Sequence, residues 1–170
     1  RNWAELLVSE RGIDLGAPGN YADGRGSNGT AFNWAESDST ALDLLIDSQD
    51  INIADQFAAG EVSHAVLMIG NVDFAPGSEK FTKIADGTWT QAQIDSEITF
   101  MTFNIEGAIS VLSGVPTKGL VATIPDPTMT PAGSVLFTAA GRDKVRAAVN
   151  AVNVKIKEFA AKYHQPVVDL

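Results

Sequence analysis

Apolar positions follow two rhythms along this chain, and the rhythms alternate. "SHAVLMIG" (63–70) and "KGLVATI" (118–124) are short continuous apolar runs, the signature of strands buried on both faces. "PVVDL" (166–170) reads as a last, shorter strand. Between them the period changes to that of a helix. Ile94, Ile98, Met101, Ile105 and Leu112 share one helical face, and Thr90 with Gln93 forms a capping-box signature ahead of it. Val145, Val149, Val152, Ile156, Phe159 and Tyr163 make the most regular amphipathic helix in the sequence.

Earlier segments are weaker. "NWAELLVSERG" places Trp3, Leu6 and Leu7 on one helical face, with Gly12 to close it. Residues 13–30 are glycine-rich and predict a loop, "AFNWA" (31–35) a short strand, and "STALDLLIDS" and "IADQFAAG" short helices, the second closed by Gly60. Pro76, Gly77 and Gly87 interrupt residues 74–89, which are expected to be loop, as is 125–137. Strands alternating with helices predict an α/β domain built on a parallel sheet.

Composition narrows the function classes. At 170 residues the chain is long enough for one domain with a full core. No apolar run is long enough to span a bilayer. Net charge is −9 with no basic stripe, which argues against nucleic acid as a partner. The absence of cysteine excludes disulfides and thiolate chemistry but does not decide the compartment. The chain opens at Arg1 without Met and ends on a strand with no helix to cover it, so a domain incomplete at both ends is expected.

Candidate chemistry is sparse. Gly24, Gly26 and Gly29 spell G-x-G-x-x-G, but a strand is expected after them where a dinucleotide site needs a helix, so no cofactor is implied. His64 falls at the start of its strand and His164 between the last helix and the last strand, both at the wrong edge of a parallel sheet for catalysis, and no Ser–His pair can be assembled. Asp38, Asp73, Asp126 and Asp169 fall at the ligand-binding edge. Four carboxylates there could hold Mg²⁺ for phosphotransfer, although aspartate after a strand more commonly caps a turn. Asn71 and Asp73 follow directly on Gly70, where the chain leaves its strand.

The order of "RNWAELLVSERGIDLG", "AFNWAESDSTALDLL", "QFAAGEVSHAVLMIGNVDF", "LVATIPD" and "YHQPVVDL" resembles the SGNH (GDSL-type) hydrolases, in particular a bacterial, often exported branch. The resemblance implies a three-layer α/β/α fold with a flavodoxin-like parallel sheet, a single domain over residues 1–170, a small-molecule ester as substrate, and a secreted or periplasmic location. It implies a serine nucleophile in a Gly-Asp-Ser segment that would precede Arg1, and an Asp-x-x-His segment that would follow Leu170. Two internal blocks can be matched. In "NWAESDST" Asp38 falls where the family has an oxyanion-hole glycine. In "GNVD" Val72 falls where it has the oxyanion asparagine, leaving Asn71 one position early and Asp73 to orient the loop. Valine has no donor to offer, and an ionised Asp38 would repel a developing oxyanion. A non-catalytic binding or scaffold domain of the same fold is the second expectation. The family's sheet order also places a first strand between "AFNWA" and "HAVLMIG", a slot that something is expected to fill.

Overall fold

The computed structural model describes residues 3–21, 26–115 and 118–170. The chain divides into two compact units, residues 1–37 and 38–170.

The first unit holds helix α1 (Trp3–Arg11) and an antiparallel pair, β1 (Pro18–Tyr21) and β2 (Gly26–Thr30). Gly12 ends α1 at φ +64° and donates its N–H to the Val8 carbonyl at 3.1 Å, an αL stop of the expected kind. Leu6 is exposed, while the side chains of Trp3 and Leu7 lie outside the described residues, as does Gly24. The glycine-rich segment expected to be loop is therefore a hairpin, held by backbone pairing rather than by an apolar pattern. "AFNWA" is not a strand. The Asn33 N–H bonds back to the Thr30 carbonyl at 3.1 Å, and the Asn33 side chain accepts from the Ala35 N–H at 3.2 Å. Such an Asx turn competes with strand pairing for the same backbone groups.

The second unit is mixed α/β around a small parallel sheet in the order β3 (His64–Leu67), β4 (Lys118–Ala122), β5 (Val167–Val168). Its helices are α2 (Asp43–Ile46), α3 (Gln49–Ala58), α4 (Glu79–Ala85), α5 (Gln91–Ser113), α6 (Pro131–Leu136) and α7 (Ala139–Lys162). Both long helices form as the spacing predicts. Thr90 and Gln93 make the capping box of α5, and Met101, Ile105 and Ile109 pack inward from it. Val145, Val149, Val152 and Ile156 of α7 meet them, with Leu67 and Val121 of the sheet in the same core.

Asn153 fastens α7 to the sheet. Its amide accepts from the Ile124 N–H and donates to the Ile124 carbonyl, both at 2.8 Å, satisfying both backbone groups where β4 has ended.

Three expectations need correction. Residues 74–89 contain α4, capped by Ser78, whose hydroxyl accepts from the Phe81 N–H. Residues 125–137 contain a 3-10 turn (Pro127–Met129) and α6, started by Asp126 and Thr130. The "SHAVLMIG" run pairs over only four residues and is not buried on both faces, since Leu67 is buried while Val66 is 50% exposed. β3 is an edge strand, and no described residues pair with its outer side, so the expected occupant of that slot is not found among them.

Candidate functional site

The site at the C-terminal end of β3 begins with a turn that only glycine makes comfortably. Gly70 sits at φ +100°, and a Cβ there would lie 2.5 Å from Met101 Cε and 2.6 Å from Ile124 Cδ1. The chain reverses at this point and runs through Asn71, Val72 and Asp73 before entering α4.

Asp73 is the hub. It is buried, and its Oδ2 accepts from the Ala41 backbone N–H at 2.8 Å while Oδ1 accepts from Lys80 Nζ at 2.6 Å. Its backbone carbonyl accepts from the Ser78 hydroxyl at 3.1 Å. Lys80 also reaches Glu97 on α5 at 2.6 Å. Burial pushes the Lys80 ammonium toward losing its proton, but the hydrogen bonds and charges of Asp73 and Glu97 outweigh it and hold its pKa above the ordinary lysine value.

Through Ala41 the hub grips the turn that starts at Asp38. Asp38 is exposed and left-handed, at φ +63°. Ser39 is buried and accepts from the Gln49 amide at 2.9 Å, so it is a packed hydroxyl rather than a free nucleophile. Thr40 and Asp43 bond each other reciprocally at the start of α2, and the Thr40 backbone and hydroxyl donors hold the Asp43 carboxyl below the usual carboxylate range. Asn71 Oδ1 is buried with no hydrogen-bond partner, and Val72 contributes its carbonyl to the Ala75 N–H.

The structure therefore ties the loop of Asn71, Val72 and Asp73 to Ala41, three residues past Asp38, through the Asp73–Ala41 bond. It does not add the other acids to that neighbourhood. Asp126 is bound by Arg146 and Thr128, and Asp169 by Lys157 and Thr123. Among the described residues no three His, Cys, Asp or Glu side chains gather to hold a metal ion.

The histidines stand where expected: His64 opens β3, and His164 lies between α7 and β5. One correction concerns serine. Ser63 Oγ lies 2.9 Å from His64 Nδ1, so a Ser–His contact does exist. Both residues are exposed and sit at the opposite end of the strand from Asn71.

Sequence reasoning missed Lys80, Ser78 and Glu97. The one available signal was Ser78 three residues ahead of Phe81, an N-cap inside a stretch broken by Pro76, Gly77 and Gly87. Searches of family models, of curated proteins and of solved structures each found no match for this chain.

Proposed function

We propose that this chain carries the oxyanion-side segments of a three-layer SGNH-type serine ester hydrolase, acting on a small-molecule carboxylic ester. The reading rests on the resemblance stated above and is supported by one observation. The Asp73 carboxylate of the "GNVD" block accepts at 2.8 Å from the N–H of Ala41, the residue that directly follows "NWAESDST" and lies 32 positions before Asp73. The backbone at Asp38 strengthens it. Where the family pattern has glycine, Asp38 takes φ +63°, the region glycine enters without cost.

In this reading the attacking serine and its histidine belong to segments other than those described, because neither histidine of the described residues faces the strand end. Asn71, one position early, is the polar side chain nearest the oxyanion, and Asp73 orients its loop. The proposed location is secreted or periplasmic, following the branch resembled.

The second reading, a non-catalytic domain of the same fold, is favoured by two particulars. Val72 offers no side-chain donor, and loss of one oxyanion donor costs on the order of 10²–10³ in rate. Asp38 would place a carboxylate beside developing negative charge.

The experiment is a fluorophosphonate labelling and p-nitrophenyl ester assay on the longest natural form of the protein, with the 170-residue chain beside it. A labelled serine and turnover in the longer form, absent from the shorter, support the hydrolase. No label and no turnover in either leaves the binding domain.

A further inference from the structure

We propose that Lys80 is a positioning residue: it fixes the 38–41 turn in place by holding the buried Asp73 carboxylate against the Ala41 N–H. This rests on the reading of that turn as part of the site, and concerns a residue that the resemblance does not assign.

The geometry runs through four elements. Asp73 has a side chain only 2% exposed, with one oxygen on the Ala41 N–H and the other on Lys80 Nζ. A buried carboxylate needs a countercharge as well as hydrogen bonds, and Lys80 is the only cation within ion-pair distance of it among the described residues. The ammonium is itself immobilised. Glu97 on α5 takes it at 2.6 Å, and both Lys80 and Glu97 side chains are three-quarters covered. The main chain carrying it is fixed as well, because Ser78 bonds the Asp73 carbonyl with its hydroxyl and caps α4 through the Phe81 N–H. Lys80 thus sits two residues past a cap that is anchored to the very residue its side chain neutralises.

The consequence is directional. If the ammonium is removed, the Asp73 carboxylate is left buried and uncompensated. It then turns toward water to recover solvation, which loosens its grip on the Ala41 N–H. The turn at Asp38 would lose its tether while the apolar α5–α7 core, which Lys80 meets only through the partly exposed Glu97 on α5, stays intact. A residue that only stabilised the fold would weaken both together.

Amide hydrogen exchange on the 170-residue chain separates the two cases, with Ala41 as the reporter and the Ile124 amide, bonded to Asn153 in the core, as the internal reference. Lys80→Met should accelerate exchange at Ala41 at least about tenfold relative to Ile124, and Lys80→Arg should restore most of the protection. Glu97→Gln, a milder change, should move Ala41 in the same direction and serves as the test if Lys80→Met does not fold. Ala41 and Ile124 changing in parallel in these variants would overturn the proposal, as would no rescue by arginine. The measurement uses no substrate, so it stands apart from the hydrolase reading. A longer form that hydrolyses esters while Ala41 exchange is indifferent to Lys80 keeps that reading and discards this one.

Discussion

Gly70→Ala tests whether the turn that aims Asn71–Asp73 is set by the packing beneath it. Two separate costs act on the alanine. At φ +100° a β-carbon is unfavourable in itself, by about 1–2 kcal/mol. The new methyl would also meet Met101 Cε at 2.5 Å and Ile124 Cδ1 at 2.6 Å. These are side-chain ends, which normally yield cheaply, but Met101 and Ile124 are each only 1% exposed and have packed neighbours behind them. Overpacking of this kind costs about 1–3 kcal/mol. The expected loss is therefore about 2–5 kcal/mol, a large share of the ~5–15 kcal/mol net stability of a typical domain.

Gly77 supplies the control. Its φ is +94°, close to that of Gly70, and nothing lies within 4 Å of where its Cβ would stand. Gly77→Ala should carry only the backbone cost, about 1–2 kcal/mol. Urea denaturation followed by circular dichroism gives both numbers, and their difference isolates the crowding at about 1–3 kcal/mol. Equal losses in the two variants would refute the reasoning, because Gly70 would then matter for its dihedral alone.

Asn153→Leu should cost about 2–6 kcal/mol in the same assay, because it strands both the N–H and the carbonyl of Ile124 in the core; a loss under about 1 kcal/mol would mean the backbone finds other partners. Asp50 is buried and its Oδ1 has no partner; burial raises its pKa despite backbone donors at Ile51 and at its own N–H. The folded state therefore holds this proton more tightly than the unfolded chain, and stability attributable to Asp50 falls as pH rises above the ordinary aspartate range. Asp50→Asn should have a higher Tm than the parent at pH 7, with the advantage shrinking as pH is lowered toward that range; an advantage that grows on acidification would contradict the sign. Asp38→Gly should fold with stability within about 1 kcal/mol of the parent, since φ +63° suits glycine. Combined with Val72→Asn in an ester-hydrolysing longer form, it should raise kcat more than it changes KM, because oxyanion contacts strengthen in the transition state; an unchanged kcat would remove both positions from the oxyanion hole.

Elements whose cause is local and repeated were legible in the sequence. Helix α5 carries its own capping box and α7 its own apolar stripe, and both appear where the spacing puts them. Elements made by a single local device, or by pairing with a partner, were not. Helix α4 depends on Ser78 as its cap and on Phe81, Ile84 and Ala85 turning inward, which is too short a pattern to outweigh the flanking glycines and Pro76. The β1–β2 hairpin has no apolar alternation to read. The "HAVLMIG" run misled in a more instructive way. A continuous apolar run says that either face of a strand tolerates burial, but coverage is decided by neighbours. Among the described residues β3 has only β4 beside it, and Val66 stays half exposed.

The site divides along the same line. Position alone placed Asp73 at the end of a strand, and the structure adds its bonds to Ala41 and Lys80. Its principal partner could not be read, because the Ala41 N–H is a backbone group 32 residues away, and every non-proline residue carries one. Lys80 was hidden for the opposite reason: its charge is plain, but its meaning comes only from α4, which brings it to the carboxylate. The four strand-end acids show why residue type misleads without this step. Asp73, Asp126 and Asp169 each sit at the expected edge, yet each is bonded to its own cation, Lys80, Arg146 or Lys157. A carboxylate already neutralised by a bonded ammonium or guanidinium is a poor start for a shared metal site. It is a good start for a rigid loop, and rigidity in the 38–41 and 70–73 loops is what the oxyanion hole proposed there would require.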